Sequence, residues 1–293
     1  MHEGHGGGLT LQTTILTATA MVAFAANSLL CRLALQKGEI DPVSFAGIRL
    51  IAGAITLAVI VRFKSQRSSP GHTDWLAAAM LFAYVVFFSF AYLTLSAGTG
   101  ALILFGAVQL TMFSAGLRSG EKFGPVAWLG LTLAVAGLVY LVSPGVAAPP
   151  VLGAALMAVA GAAWGVYSLR GRGVANPLAA TAANFARAAP LAFLLSLLFI
   201  VTAHAHTDTA GIALAIASGA LTSGIGYVIW YAALSRLSAM RAATVQLSVP
   251  LIAAFGGVAF LSEAITLRLT AASAAILGGI AMVLSSRSGV RRS

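Results

Sequence analysis

Ten stretches of about 20 residues run through this chain almost free of charge, each long enough to cross the hydrocarbon core of a bilayer. They fall at residues 11–33, 42–62, 75–95, 99–117, 125–142, 151–170, 177–202, 211–234, 241–260 and 268–285. Only 8% of the 293 residues are charged and 59% are hydrophobic. Soluble domains carry roughly a quarter charged residues, so a water-facing exterior cannot be built from this sequence. In lipid only helices and closed barrels satisfy every backbone group. A barrel strand alternates apolar and polar positions, whereas these runs are continuous. The reading is therefore an all-α membrane protein of ten transmembrane helices.

Prolines and basic residues punctuate the runs. Pro42, Pro125 and Pro177 stand at or near the first helical position, where a missing N–H costs nothing. Pro190 and Pro250 lie inside spans and predict kinks. Lys and Arg accumulate in cytoplasmic loops. Arg62, Lys64, Arg67, Arg118, Lys122, Arg170, Arg172, Arg236, Arg241, Arg287, Arg291 and Arg292 fall on one side. Arg32, Lys37 and Arg268 fall on the other, and Arg49 and Arg187 lie inside spans. That asymmetry predicts both termini in the cytoplasm, as an even number of spans requires.

The net charge of +10 is scattered singly and in pairs between apolar runs. Nucleic-acid readers concentrate it on one face, so the expected partners are the lipid bilayer and a small-molecule substrate, with no nucleic acid. Cys31 is alone, which excludes an intramolecular disulfide and a Cys-based metal cage. No cleavage site follows the first apolar run, which reads as a retained span. The chain is expected to work as a monomer or weak dimer.

The chain also repeats itself. A shift of 142 residues lays Leu95-Ser96-Ala97 on Leu237-Ser238-Ala239, Ala101 on Ala243, Glu121 on Glu263 and Gly137 on Gly279. A slightly different offset lays Phe24, Ser28 and Arg32 on Trp164, Ser168 and Arg172, and Pro42 matches Pro177. The units are residues 1–145 and 146–293, five spans each. An odd number of spans inserts the halves in opposite orientations, an arrangement found in transporters with a substrate site near the midplane.

Two five-helix halves, each with a Ser-Ala turn, a helix and then Glu, and each opening on aromatic-x-x-x-Ser, resemble the drug/metabolite transporter superfamily. The nearest branch is the EamA-type ten-helix proteins, among them bacterial inner-membrane amino-acid and metabolite exporters. The resemblance spans nearly the whole chain. It implies a secondary transporter and the direction of export. The second half departs from the pattern where Asn184 stands at the place matching Arg49, with Arg187 the nearest charge. The first half lacks the proline often found in the fourth helix, although Pro250 is present in the ninth.

Polar residues inside a membrane are costly, so each is a candidate for function. Asn27, Gln109 and Gln246 lie mid-span; their amides either line a cavity or bridge helices. Tyr84, Phe88 and Tyr92 share one face of the third span. Tyr227 with Tyr231, and Trp164 with Ser168, repeat the spacing on the eighth and sixth. Such stripes either pack helices or line a cavity, and Tyr84, Trp164 and Tyr227 are away from span ends. Arg49 and Arg187 have no Asp partner in any span and serve either helix structure or an anionic substrate group. Glu121 and Glu263 are placed to form gate ion pairs or to cap helix N-termini.

Enzymatic chemistry finds no support. Every His (2, 5, 72, 204, 206) is in a tail or loop, no span holds Asp, and no phosphate-loop pattern occurs. His204, His206 and Asp208 offer at most a few exposed ligands, which read as a solvated loop and not a metal site. No cofactor is expected. The function expected is secondary transport of small amphipathic metabolites such as (aromatic) amino acids, by alternating access through a central cavity. A sugar or phosphate-ester antiporter and a non-transporting scaffold subunit are the alternatives.

Overall fold

A computed structural model describes residues 11–63, 74–171, 174–202, 204–237 and 239–286, without the side chains at 239–241, 243 and 286. Of the charges that set the expected sidedness, Lys64, Arg67, Arg172, Arg287, Arg291 and Arg292 lie outside the described residues, as does the Arg241 side chain. The described residues form ten apolar spans. They are α1 (Leu11–Gln36), α2 (Pro42–Phe63), α3 (Trp75–Ala91), α4 (Ala97–Arg118), α5 (Pro125–Val142), α6 (Val151–Arg170) and α7 (Pro177–Val201). Next come α8 (Thr209–Leu234), α9 in two segments (Ala239–Gln246 and Ser248–Leu261) and α10 (Leu267–Ser286). Among the described residues nine spans have the length and composition to cross a membrane, and α3 is a shorter apolar helix.

Local chemistry sets the ends. Pro42, Pro125 and Pro177 are each a first helical residue. Asp41 accepts from the N–H groups of Val43 and Ser44 at 2.9 Å, capping α2. Asp74 caps α3, Ser96 caps α4 and Asp208 caps α8 through the N–H groups of Ala77, Thr99 and Gly211. Gly120 and Ser262, one repeat apart, both take left-handed backbone (φ +78° and +55°) and stop α4 and α9 just before Glu121 and Glu263.

Two spans are not simple helices. The ninth breaks at Leu247: Pro250 has no N–H for the carbonyl four residues back, so the chain turns before resuming. The helix around Pro190 continues without a break. In the eighth, Ser218–Ile225 is a π-helical turn, an insertion found often at functional sites.

The helices pack as two related halves. α3 lies on α6 as α8 lies on α1, and α4 lies on α6 as α9 lies on α1. α2 packs on its own repeat mate α7, and α5 on its mate α10. These contacts reappear with the halves exchanged, which is the pattern of two inverted five-helix repeats. Small residues bring the mates together: a Cβ on Gly130 would meet the carbonyl of Gly279, and one on Gly279 that of Gly130. Outside the bundle, Phe193, Ile200, Phe255 and Phe260 are exposed, an apolar exterior that only lipid can cover. We call the side on which α1 starts the proximal face and the side on which it ends the distal face.

Candidate functional site

Midway along, the eighth span carries three hydroxyl residues, Ser218, Thr222 and Ser223, with glycines at 219 and 224. The π turn there directs three hydroxyls inward, and the lack of a Cβ at Gly219 lets the backbone of α2 approach at Arg49. The result is a buried polar network across four helices. Ser218 and Thr222 donate to Asn27 Oδ1 at 2.6 and 3.3 Å. Asn27 Nδ2 donates to the Tyr84 hydroxyl at 3.4 Å. Arg49, 1% exposed, donates from Nε to Ser223 Oγ and from Nη2 to the Tyr84 hydroxyl, both at 3.2 Å. Its guanidinium lies 5.2 Å from the Tyr84 ring centre and 5.1 Å from that of Phe88, cation–π contacts that soften its charge.

An aromatic cage continues from Tyr84. Trp164 on α6 meets Tyr84 on α3 at 4.9 Å between ring centres and stacks on Tyr227 of α8 at 5.7 Å and 15°. Phe24 on α1, the repeat mate of Trp164, meets Tyr227 at 5.9 Å. One aromatic pair is thus the inverted copy of the other, drawn together where the halves meet. Tyr84, Phe88 and Tyr227 are buried, while Phe24 and Trp164 are only partly covered. Those two rings are what the cage can offer an apolar ligand.

On the distal side of this centre, charged side chains tie the helix ends together. Glu263 accepts the Ala97 N–H at 2.9 and 3.1 Å, so it caps α4 from across the repeat boundary. It also pairs with Arg32 Nε at 3.3 Å. Arg32 Nη1 donates to the carbonyls of Tyr92 and Leu93 at 2.9 and 3.0 Å, which covers the end of α3. Arg268 does the same for the end of α5 through Tyr140, Leu141 and Ser143. Beside them Asp41 N–H donates to the His206 carbonyl at 2.9 Å, His206 N–H donates to Asp41 Oδ2 at 3.1 Å, and Asp208 N–H donates to the Glu39 carbonyl at 2.8 Å.

The proximal face is looser. Leu102, Ile103 and Leu104 at the distal start of α4 are buried, whereas their mates Thr244, Val245 and Gln246 on α9 are exposed or half-buried. A cleft of about 460 Å³ opens between the ends of α7 and α8, lined by Asn176, Leu178, Val228, Tyr231 and Ser235. Tyr231 is one helical turn from Tyr227, and its hydroxyl is 2.8 Å from that of Thr181. On this face Arg170 also pairs with the Asp74 carboxylate at 2.6 Å. That bond holds the Asp74 carboxyl below the usual carboxylate range.

Inverted halves that meet on a shared aromatic centre are an arrangement found in membrane transporters, and comparison with known proteins agrees on a transporter. The sequence matches the EamA-like transporter family over residues 12–143 and again over 151–285. The chain belongs to that family. An uncharacterised Pseudomonas aeruginosa protein is 51% identical over 95% of this chain and 96% of its own length. An uncharacterised transporter of Archaeoglobus fulgidus is 28% identical over 83% of this chain and 87% of its own. A solved crystal structure superposes with a TM-score of 0.64 at 19% identity, over 94% of this chain and 98% of the other, and supports the fold.

Within this EamA-like frame the expected residues separate. Tyr84, Phe88, Trp164, Tyr227, Asn27 and Arg49 come together at the centre. Asn27 uses its amide to join α3 and α8 to α1. Tyr231 lines the proximal cleft. Ser168 turns its hydroxyl back onto Trp164 O at 2.7 Å in its own helix. Gln109, Gln246 and Arg187 are half-buried, and no described contact joins them to the network. Glu263 both pairs and caps; Glu121 is exposed just beyond α4. Ser218, Thr222 and Ser223 were not among the expected site residues, although a polar run in the middle of a span was a readable signal. Arg32, expected only as a loop charge and a repeat match to Arg172, is a partner of Glu263.

Proposed function

We propose that this chain exports small amphipathic metabolites, amino acids with apolar side chains foremost, across a bacterial inner membrane with both termini in the cytoplasm. The observation that carries this reading is the cage of Phe24, Tyr84, Trp164 and Tyr227 on the seam between the inverted repeats, incompletely covered at Phe24 and Trp164. A solute entering from the proximal cleft would rest its apolar part on those rings while the Glu263 contacts keep the distal face shut. Glu121 is the repeat mate of Glu263 and is placed to cap the start of α9 when the faces exchange roles. No span holds Asp or His, the residues proton-coupled carriers use, so a solute gradient drives the exchange.

The test is flux of a panel of amino acids through the purified chain in sealed proteoliposomes, with and without a pH gradient. Apolar amino acids should move down their gradient or exchange, unaffected by an imposed pH gradient. Absence of flux for every solute would favour a non-transporting subunit. Uphill accumulation driven by the pH gradient alone, lost in Glu121→Gln or Glu263→Gln, would make that carboxylate a coupling site.

A further inference from the structure

We propose that Arg49 Nη1 and the Tyr84 hydroxyl together form a carboxylate-docking site, one that recognises the acid group of the transported solute and not its ammonium group. This rests on the transport reading above. Arg49 donates from Nε and Nη2, but its Nη1 is buried with no hydrogen-bond partner. All seven Asp and Glu of the chain lie outside the spans, and among the described residues none pairs with Arg49. The rings of Tyr84 and Phe88 soften the charge without neutralising it. A guanidinium kept this dry needs an anion, because its hydration has been removed and nothing of formal negative charge replaces it.

The geometry selects the anion. The Tyr84 oxygen accepts from both Asn27 and Arg49, which occupies its two lone pairs and leaves its own proton to donate. Nη1–H and this O–H are two donors on adjacent groups, and a planar carboxylate has an oxygen for each. The aromatic cage begins at the same tyrosine, with Trp164 4.9 Å away, so an acid held here can lay an apolar side chain along Trp164. Asn27 Oδ1 is already shared by Ser218 and Thr222, and no carboxylate is available to an ammonium group. An aromatic acid lacking the amine should therefore bind as well as the amino acid.

The test measures binding of four compounds to the full chain in nanodiscs by calorimetry. They are 3-phenylpropionate, L-phenylalanine, L-phenylalaninamide and phenethylamine. The two acids should bind alike, and the amide and amine about ten to a hundred times more weakly, as loss of a charged hydrogen bond implies. Arg49→Gln should bring the ratio of acid to amide affinity close to one. Tyr84→Phe, which keeps the ring, should reduce it partway and carries the test if Arg49→Gln does not fold. Acids no better than the amide in the parent overturn the proposal, as does a preference that survives in whichever variant folds. Replacing chloride by a bulky sulfonate at fixed ionic strength tests the other anion source. Chloride that stabilises the parent through Arg49 and excludes the acids would make this an inorganic-anion site and overturn the solute assignment. Flux separates the two readings. Amine and amide moving as fast as acids would sink this inference and leave transport standing; Arg49-dependent acid binding with no flux would do the reverse.

Discussion

Glu263→Gln is the perturbation whose size the structure defines best. The carboxylate meets the Ala97 N–H with both oxygens and Arg32 with one, and the paired side chains are only 12% and 14% exposed. A fully solvated ion pair is worth little, but charge-assisted bonds this sheltered are worth about 1.5–3 kcal/mol each. Gln keeps one carbonyl oxygen for the Ala97 cap and loses the negative charge, so the expected loss is about 1–2 kcal/mol and not the whole sum. If these contacts favour the state with the distal face closed, that loss raises the distally open population roughly five- to thirty-fold. Ala101 is fully buried on α4, just inside the cap, and reports the opening. In a Cys31→Ser, Ala101→Cys background, labelling by an impermeant maleimide from the distal side should accelerate by that factor in Glu263→Gln. Equal rates, in a variant that melts at the parental temperature, would refute the idea that this carboxylate holds the distal face closed.

Other outcomes follow from the same geometry. Reporters fused at Gly71, a position outside the described residues, and at the C-terminus should read cytoplasmic and one at Ala148 should not; the opposite result at the C-terminus contradicts the ten-span orientation. Trp164→Ala should lower flux with little loss of folded protein because that ring is half-covered. Tyr227→Ala should instead lower the melting temperature, since emptying a buried aromatic site costs about 3–5 kcal/mol. The Arg170 bond depresses the Asp74 carboxyl, so its contribution is complete at neutral pH and is lost as pH falls through and below the usual carboxylate range. A thermal scan should show parent and Asp74→Asn differing at neutral pH and converging in acid; a constant gap would show that the cap geometry matters and the charge does not.

The fold was legible because bilayer thickness writes itself into the sequence as uncharged runs, and duplication writes itself as scarce residues at matched positions. Pro42, Pro125 and Pro177 gave three helix starts, since a residue without an N–H has few other places to go in lipid. The π turn was not legible as such: Ser218, Thr222 and Ser223 reveal polarity, but one extra residue in a helical turn leaves no mark on hydropathy. Glu263 was readable as a cap or an ion pair and is both. Its capped helix is α4, brought to it only by tertiary packing, which no local pattern records.

The centre of the site is where the two halves stop matching. Around it the duplication is kept: Trp164 answers Phe24, Glu121 answers Glu263, and α3 on α6 answers α8 on α1. At Arg49 the other half has Asn184, which is buried but uncharged. A frame that must close alternately on two faces gains from symmetry, because each closed state can then reuse the same kind of contact. The solute proposed above has one carboxylate and one apolar side chain, and two buried guanidiniums would leave one of them without an anion. A single arginine, backed by Tyr84 on one side of the seam and facing rings contributed by both halves, fits an asymmetric molecule inside a symmetric carrier. Asn184→Arg should accordingly destabilise the fold more than it gains in binding, by several kcal/mol for an unpaired buried charge, and a variant that folds at parental stability would show that this half of the centre tolerates a second positive charge.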